Sequence, residues 1–195
     1  MRLRSATAVL SHGEIIACID DGRIKIDPFT PELVKRNSYV LRLGGQFRRI
    51  KTDEVLDIRD PEVMRRNQGE EFQAPDIEID STSLVLASSF ERISLAPDLV
   101  GVLSGITNVA RLGALVHATS EFVNAGYGWG HPGRVIFELA TVGNLRVRLY
   151  RGLPICHIAF FRMNEATAYA KPSARTGQDS PGNSDLYGQF GHLIE

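Results

Sequence analysis

The sequence predicts a mainly β fold, a sandwich or jelly roll, with one short helix near the N-terminus and a flexible polar tail at the C-terminus. Three observations carry this expectation. From residue 76 onward, short runs rich in Val, Ile, Leu and Phe alternate with turn residues. Near the start, Ser11-His12-Gly13-Glu14 has the form of a capping box. After Met163 the composition turns polar, with Lys171-Pro172-Ser173 and Ser180-Pro181-Gly182 in close succession.

Taken in order, the capping box predicts a helix over about residues 11–21, with Ile15, Ile16 and Ile19 on its buried side and Asp21-Gly22 ending it. Ile24 and Ile26 alternate with Arg23, Lys25 and Asp27, a half-buried strand stopped by Pro28. Another strand begins over 39–43. The charged stretch 51–75 holds too few apolar residues for a core strand and reads as an irregular surface excursion. Strands are then expected over 77–79, 83–88, 92–95, 99–103, 114–119, 134–140, 145–150 and 154–161, with a single helical turn at 108–112. A length of 195 residues with 43% hydrophobic content supports one core. The expected organisation is a single domain over 1–168 and a tail or lid over 169–195.

Lys and Arg total 22 against 23 Asp and Glu, a formal charge of −1. That balance gives no reason to expect a surface that coats nucleic acid, so any phosphate has to be met locally. Cys18 and Cys156 lie far apart with no metal-binding spacing around them, and they read as buried thiols. Residues 1–10 lack the apolar run of a signal peptide, and no later stretch approaches a membrane span. The expected location is the cytoplasm.

The most informative segment is Ser104-Gly105-Ile106-Thr107-Asn108-Val109-Ala110-Arg111-Leu112-Gly113, followed by Leu115-Val116-His117-Ala118-Thr119. It resembles the Gly-Arg-Ser-Ser-x-Ala-Arg-x-Gly motif and the Val-His-x-Thr strand of the dCTP deaminase family. Further pieces fall in the same order. Gly22-Arg23-Ile24-Lys25-Ile26-Asp27-Pro28 is similar to the family's first strand, and Ser38-Tyr39-Val40-Leu41-Arg42-Leu43-Gly44 to its Ser-x-Asp-x-Arg-Leu-Gly strand. Leu95-Ala96-Pro97-Asp98-Leu99-Val100-Gly101 resembles the run before the phosphate motif. Gly133-Arg134-Val135-Ile136-Phe137-Glu138-Leu139 resembles the strand of the catalytic glutamate, and Tyr187-Gly188-Gln189-Phe190-Gly191 the C-terminal closure.

The resemblance implies a dUTPase-like distorted jelly-roll barrel, a homotrimer with sites at subunit boundaries, and deamination of dCTP to dUTP with release of ammonia. Hydrolytic deamination needs water at C4 of the cytosine ring, a base for its proton, a route to the leaving amine and donors for developing charge. A single carboxylate can do the shuttling when partial burial tunes it. Glu138, inside an apolar run, is the expected shuttle, and its ordinary alternative is an exposed strand glutamate. Arg111 is the expected partner of water and acid; the alternative is a structural ion pair.

By the same resemblance, Thr107 and Asn108 face phosphate, Thr119 and Ser120 offer main chain to the pyrimidine edge, Phe122 or Val123 packs on the sugar, and Asn124 meets its 3′-hydroxyl. Tyr187 and Gln189 close the site. His117 is placed with these, although a lone histidine on a strand is more often a core residue. The chain has no Cys-x-x-Cys to complete the zinc site of ordinary cytidine deaminases, and magnesium is expected only as an escort of substrate phosphates.

The departures concern phosphate. Ile106 stands where the motif has arginine, Thr107 and Asn108 replace serines, and Leu186 stands near a common lysine. Isoleucine supplies neither charge nor donor. Two alternatives follow: a deaminase of a less phosphorylated or modified cytosine nucleotide, and a non-catalytic nucleotide-binding trimer. Asn124 replaces an aspartate, and an amide cannot activate water as a dUTPase carboxylate does. The glycine- and aromatic-rich loop 125–133 reads equally as a wall over the ligand or as a hairpin cap.

Overall fold

The computed structural model describes residues 8–116, 121–168, 177–182 and 184–193. Helix α1 (His12–Asp20) starts where the capping box predicts. The Ser11 N–H and Oγ both donate to Glu14 Oε2, at 2.9 and 2.8 Å. Those bonds hold the Glu14 carboxyl below the usual carboxylate range, the backbone bond contributing most. Ile15 is fully buried, and Ile16 and Ile19 are partly buried against the core.

Strands β1 (Ile24–Asp27), β2 (Tyr39–Ile50), β3 (Glu71–Gln73), β5 (Leu84–Leu95), β6 (Leu99–Gly105), β7 (Ala114–Leu115), β8 (Phe122–Val123), β9 (Gly133–Thr141) and β11 (Pro154–Arg162) form one antiparallel sheet. Its main path runs β7-β9-β5-β2-β11-β6-β8, with β1 on β5 and β3 on β2. β4 (Asp76–Ile79) and β10 (Val147–Tyr150) pair separately. This is the mainly β fold that the sequence predicts. Alternating residues of the long strands, among them Leu41, Leu43, Val85, Ala87, Phe137 and Leu139, fill the core and are fully buried. Each such Leu or Phe contributes about 1.5–3 kcal/mol by leaving water.

Two expectations are corrected. The stretch 51–75 is not wholly irregular: it holds helix α2 (Pro61–Asn67) and strand β3. Asp60 Oδ1 accepts from the N–H groups of Glu62 and Val63 at 2.9 and 3.1 Å, and Pro61 fits the first helical turn. The strands expected at 83–88 and 92–95 are one, β5, because a bulge carries the chain through Ser89, Phe90 and Glu91 instead of ending it. β2 has its own irregularity between Leu43 and Phe47. The two bulges sit on neighbouring strands.

Both cysteines are buried and neither forms a disulfide, and burial pushes the Cys156 thiol up to about 12. Among the described residues, no helix is long and apolar enough to cross a membrane.

Candidate active site

Strand β9 alternates strictly, so Val135, Phe137 and Leu139 enter the core and Arg134, Ile136 and Glu138 occupy the opposite, half-buried face. Glu138 lies opposite Leu86 of β5, which lies opposite Arg48 of β2. Arg48 donates from Nε to the Pro181 carbonyl at 2.8 Å and from Nη1 to the Gly69 carbonyl at 2.6 Å. The tail segment 177–182 thus runs over the face that carries Glu138, tied also by the Arg134 N–H to the Gln178 carbonyl at 2.8 Å and by an Arg92–Asp179 ion pair.

Ala114 and Leu115 pair with Thr141 and Ala140, and the Glu138 N–H donates to the Val116 carbonyl at 3.1 Å. This pairing lays the chain after the phosphate-motif segment along β9 as far as Val116. His117, Thr119 and Ser120 follow it and lie outside the described residues.

The segment before it turns as expected. Helix α3 spans Thr107–Ala110, anchored by buried Val109, with half-buried Ile106 as N-cap packed on the core. Thr107 and Asn108 are exposed, and Arg111 is exposed at the C-cap. Ile106 serves as hydrophobic anchorage where the resemblance expects a guanidinium. Gly113, at φ +74°, turns the chain into β7; a Cβ there would fall 2.4 Å from Leu145 Cδ1.

Phe122 is 70% exposed, while Val123 beside it is buried where β8 pairs with Gly101 and Val102 of β6. Asn124 is exposed and its carbonyl accepts from the Tyr127 N–H at 3.0 Å. The Tyr127 hydroxyl donates to the Arg134 carbonyl at 2.7 Å, and the Leu95 N–H donates to the Tyr127 carbonyl at 2.8 Å. Burial raises the Tyr127 phenol to about 12. Gly128, at φ +62°, packs so closely that a Cβ would meet the Ile93 carbonyl at 2.7 Å. The loop is therefore stitched onto the ends of β5 and β9, with Trp129 left 47% exposed.

Tyr187 and Gln189 lie on α4 (Leu186–Phe190), capped by Asp185, whose side chain accepts from the Gly188 N–H at 3.2 Å. Tyr187 lines a cleft of about 320 Å³ with Pro61, Met64 and Gln68, so within one subunit it faces α2. Glu138 and Arg111 do not line this cleft or two other cavities, of about 480 and 520 Å³, among the described residues.

Sequence reading missed a charged cluster beside this face. Glu91 is fully buried and accepts from Arg42 N at 3.0 Å and Arg42 Nε at 2.5 Å. Two guanidinium groups pack against the Phe90 ring, Arg42 at 4.5 Å and Arg151 at 5.4 Å from its centre. The available signal was Arg42, within a motif already noted; Glu91, between Phe90 and Arg92, carries no local sign of its burial. Among the described residues, no group of three His, Cys, Asp or Glu side chains is placed to hold a metal.

A nearly single curled antiparallel sheet, with Glu138 on its half-buried face beside a glycine-bounded turn, defines a class of β-folded proteins rather than an α/β one. The fold is shared with the crystal structure of 2′-deoxycytidine 5′-triphosphate deaminase from Agrobacterium tumefaciens, at a TM-score of 0.62 and 17% identity; the match covers 81% of this chain and 49% of that one, about half its length. The model of the dCTP deaminase-like family matches residues 9–163, and the chain belongs to that family. Relatives named "dCTP deaminase, dUMP-forming" include one from Methanoculleus marisnigri, 34% identical over 74% of this chain and 75% of that protein. Another, from a Nocardioides species, is 32% identical over 93% of this chain and 97% of that protein.

Proposed function

We propose that this chain is a hydrolytic deaminase of a cytosine nucleotide, dCTP, and that its final product is dUMP. The observation that carries the proposal is end-to-end similarity to a dUMP-forming dCTP deaminase, 93% of this chain against 97% of the relative. The position of Glu138 supports it: half-buried on β9 and hydrogen-bonded through its backbone to the segment that continues from the phosphate-motif turn. The relatives' product differs from the dUTP that the sequence led us to expect.

In this reading Glu138 takes a proton from the water that adds to C4 and delivers it to the ring and then to the leaving amine, so one water is consumed and one ammonia released. Arg111, from a neighbouring subunit of a homotrimer, holds the water and offsets developing charge. Thr107 and Asn108 donate to phosphate, and magnesium arrives with the phosphates. His117, Thr119, Ser120, Phe122 and Val123 line the nucleoside, and Tyr187 and Gln189 close over it. Forming dUMP consumes a second water at the α-phosphorus and releases pyrophosphate. Asn124 is an amide and cannot take that water's proton, so this step draws its base from elsewhere in the site.

One observation favours a second reading. Ile106 is packed against the core as an apolar anchor, which weakens triphosphate recognition and favours a substrate with fewer phosphates. A screen of dCMP, CMP, dCTP and CTP, following ammonia release and separating products by chromatography, decides between them. The proposal expects preferential turnover of dCTP with dUMP and pyrophosphate as products. Preference for dCMP establishes the second reading, and no turnover of any of them contradicts both.

A further inference from the structure

We propose that the cavity between the bulges of β2 and β5 is an accessory site for a phosphate group, either the free ion or the phosphate of a small ester. The cavity measures about 480 Å³ and is lined by Gly44, Gly45, Ser88, Phe90, Arg134 and Arg151, among others. None of these is a residue assigned above to deamination.

Four features build it. First, two guanidinium groups reach it, and neither Arg134 nor Arg151 forms an ion pair with a carboxylate among the described residues. The carboxylates nearby are engaged: Glu91 with Arg42 and Asp179 with Arg92. Second, both guanidinium groups are held in place. Arg134 Nη1 donates to the carbonyls of Ser89, at 2.6 Å, and Phe90, and Arg151 lies over the Phe90 ring. Third, Ser88 Oγ is buried and has no hydrogen-bond partner among the described residues. Buried hydroxyls are seldom left so. Fourth, the floor is glycine. A Cβ on Gly44 would fall 2.5 Å from Ser88 Oγ, and one on Gly45 would fall 3.2 Å from Arg151 Cδ, so only glycine lets the backbone approach Ser88 and Arg151 this closely.

The electrostatics agree. The Arg134 guanidinium is held below its usual range, first by burial and then by repulsion from Arg92. A bound dianion would offset both by stabilising the charged guanidinium. Two oriented guanidinium groups, a hydroxyl and close backbone match the three acceptor oxygens of a phosphate.

Calorimetric titration of the full-length protein with inorganic phosphate, and separately with AMP, tests this. The expected result is binding of one phosphate group per subunit that weakens by roughly tenfold or more in Arg151→Gln, and in Ser88→Ala to a smaller extent, and persists in Arg111→Ala and Glu138→Gln. Arg151→Lys, which keeps the charge, should retain part of the affinity and controls for folding. Tighter binding of AMP than of phosphate identifies an ester as the source, and the reverse identifies the free ion. No binding at millimolar phosphate, binding unchanged in Arg151→Gln, or binding lost in Arg111→Ala overturns the proposal. Ammonia release from dCTP is read independently in the same samples, so failure here leaves the deaminase reading standing.

Discussion

Glu91 and Glu138 both occupy long strands of the main sheet, yet their surroundings assign them different work. The Glu91 side chain is fully buried and bonded twice by Arg42, so it is a structural anion that fixes the β5 bulge against β2. Replacing one member of a buried pair strands the other, and Glu91→Ala is expected to cost about 3–5 kcal/mol in a denaturant unfolding curve. His157 behaves in the opposite electrostatic sense. Burial first, and Lys35 second, hold its imidazole below the ordinary value of 6.5, and its Nδ1 lies 3.1 Å from Ser38 Oγ. A depressed pKa in the folded state means that the contribution is complete above the unfolded value and is lost as the pH falls below it. His157→Gln should therefore lose less stability than the parent between roughly pH 7 and 5, as read from melting temperatures across that interval.

Element α2 owes its start to Asp60, and the cleft that receives Tyr187 owes its wall to α2. Asp60→Ala removes the side-chain acceptor of the Glu62 and Val63 N–H groups and should weaken the helix by about 1 kcal/mol. Hydrogen exchange should quicken over 61–68 and in α4, with β9 unchanged. The sequence reading took this stretch as irregular because of its charge, and helix α2 indeed buries no residue fully, so no apolar stripe marks it. α1 was legible because its capping box and apolar face agree, and β9 because its alternation is unbroken. β5 was divided in the sequence reading because Ser88-Ser89 looks like a turn, whereas pairing with Arg42 keeps the chain extended there. The Arg134–Arg151 cavity was not legible at all, as it joins residues from bulges and a turn that only the sheet brings together. Of the expected site, the acid's face and the α3 turn follow local pattern; the partnership of Arg111 with Glu138 proposed above runs across a subunit boundary, for which a single chain carries no local signal.

At the scale of the whole molecule, the chain exposes Arg111, Thr107 and Asn108 on one turn and holds Glu138 on a different element, and none of them lines the three cavities described above. Assembly is what the proposed chemistry requires: the turn of one copy set against β9 of the next. Ammonia release from dCTP by Arg111→Ala, by Glu138→Gln and by a co-assembled mixture of the two measures this directly. Each variant alone should lose on the order of 10²–10⁴ in rate, as expected for removal of a positioned proton-transfer or charge-stabilising group. The mixture should regain a measurable share, from sites that combine an intact Arg111 with an intact Glu138. A Glu138→Gln protein as fast as the parent, or a mixture as inactive as its components, would contradict the account.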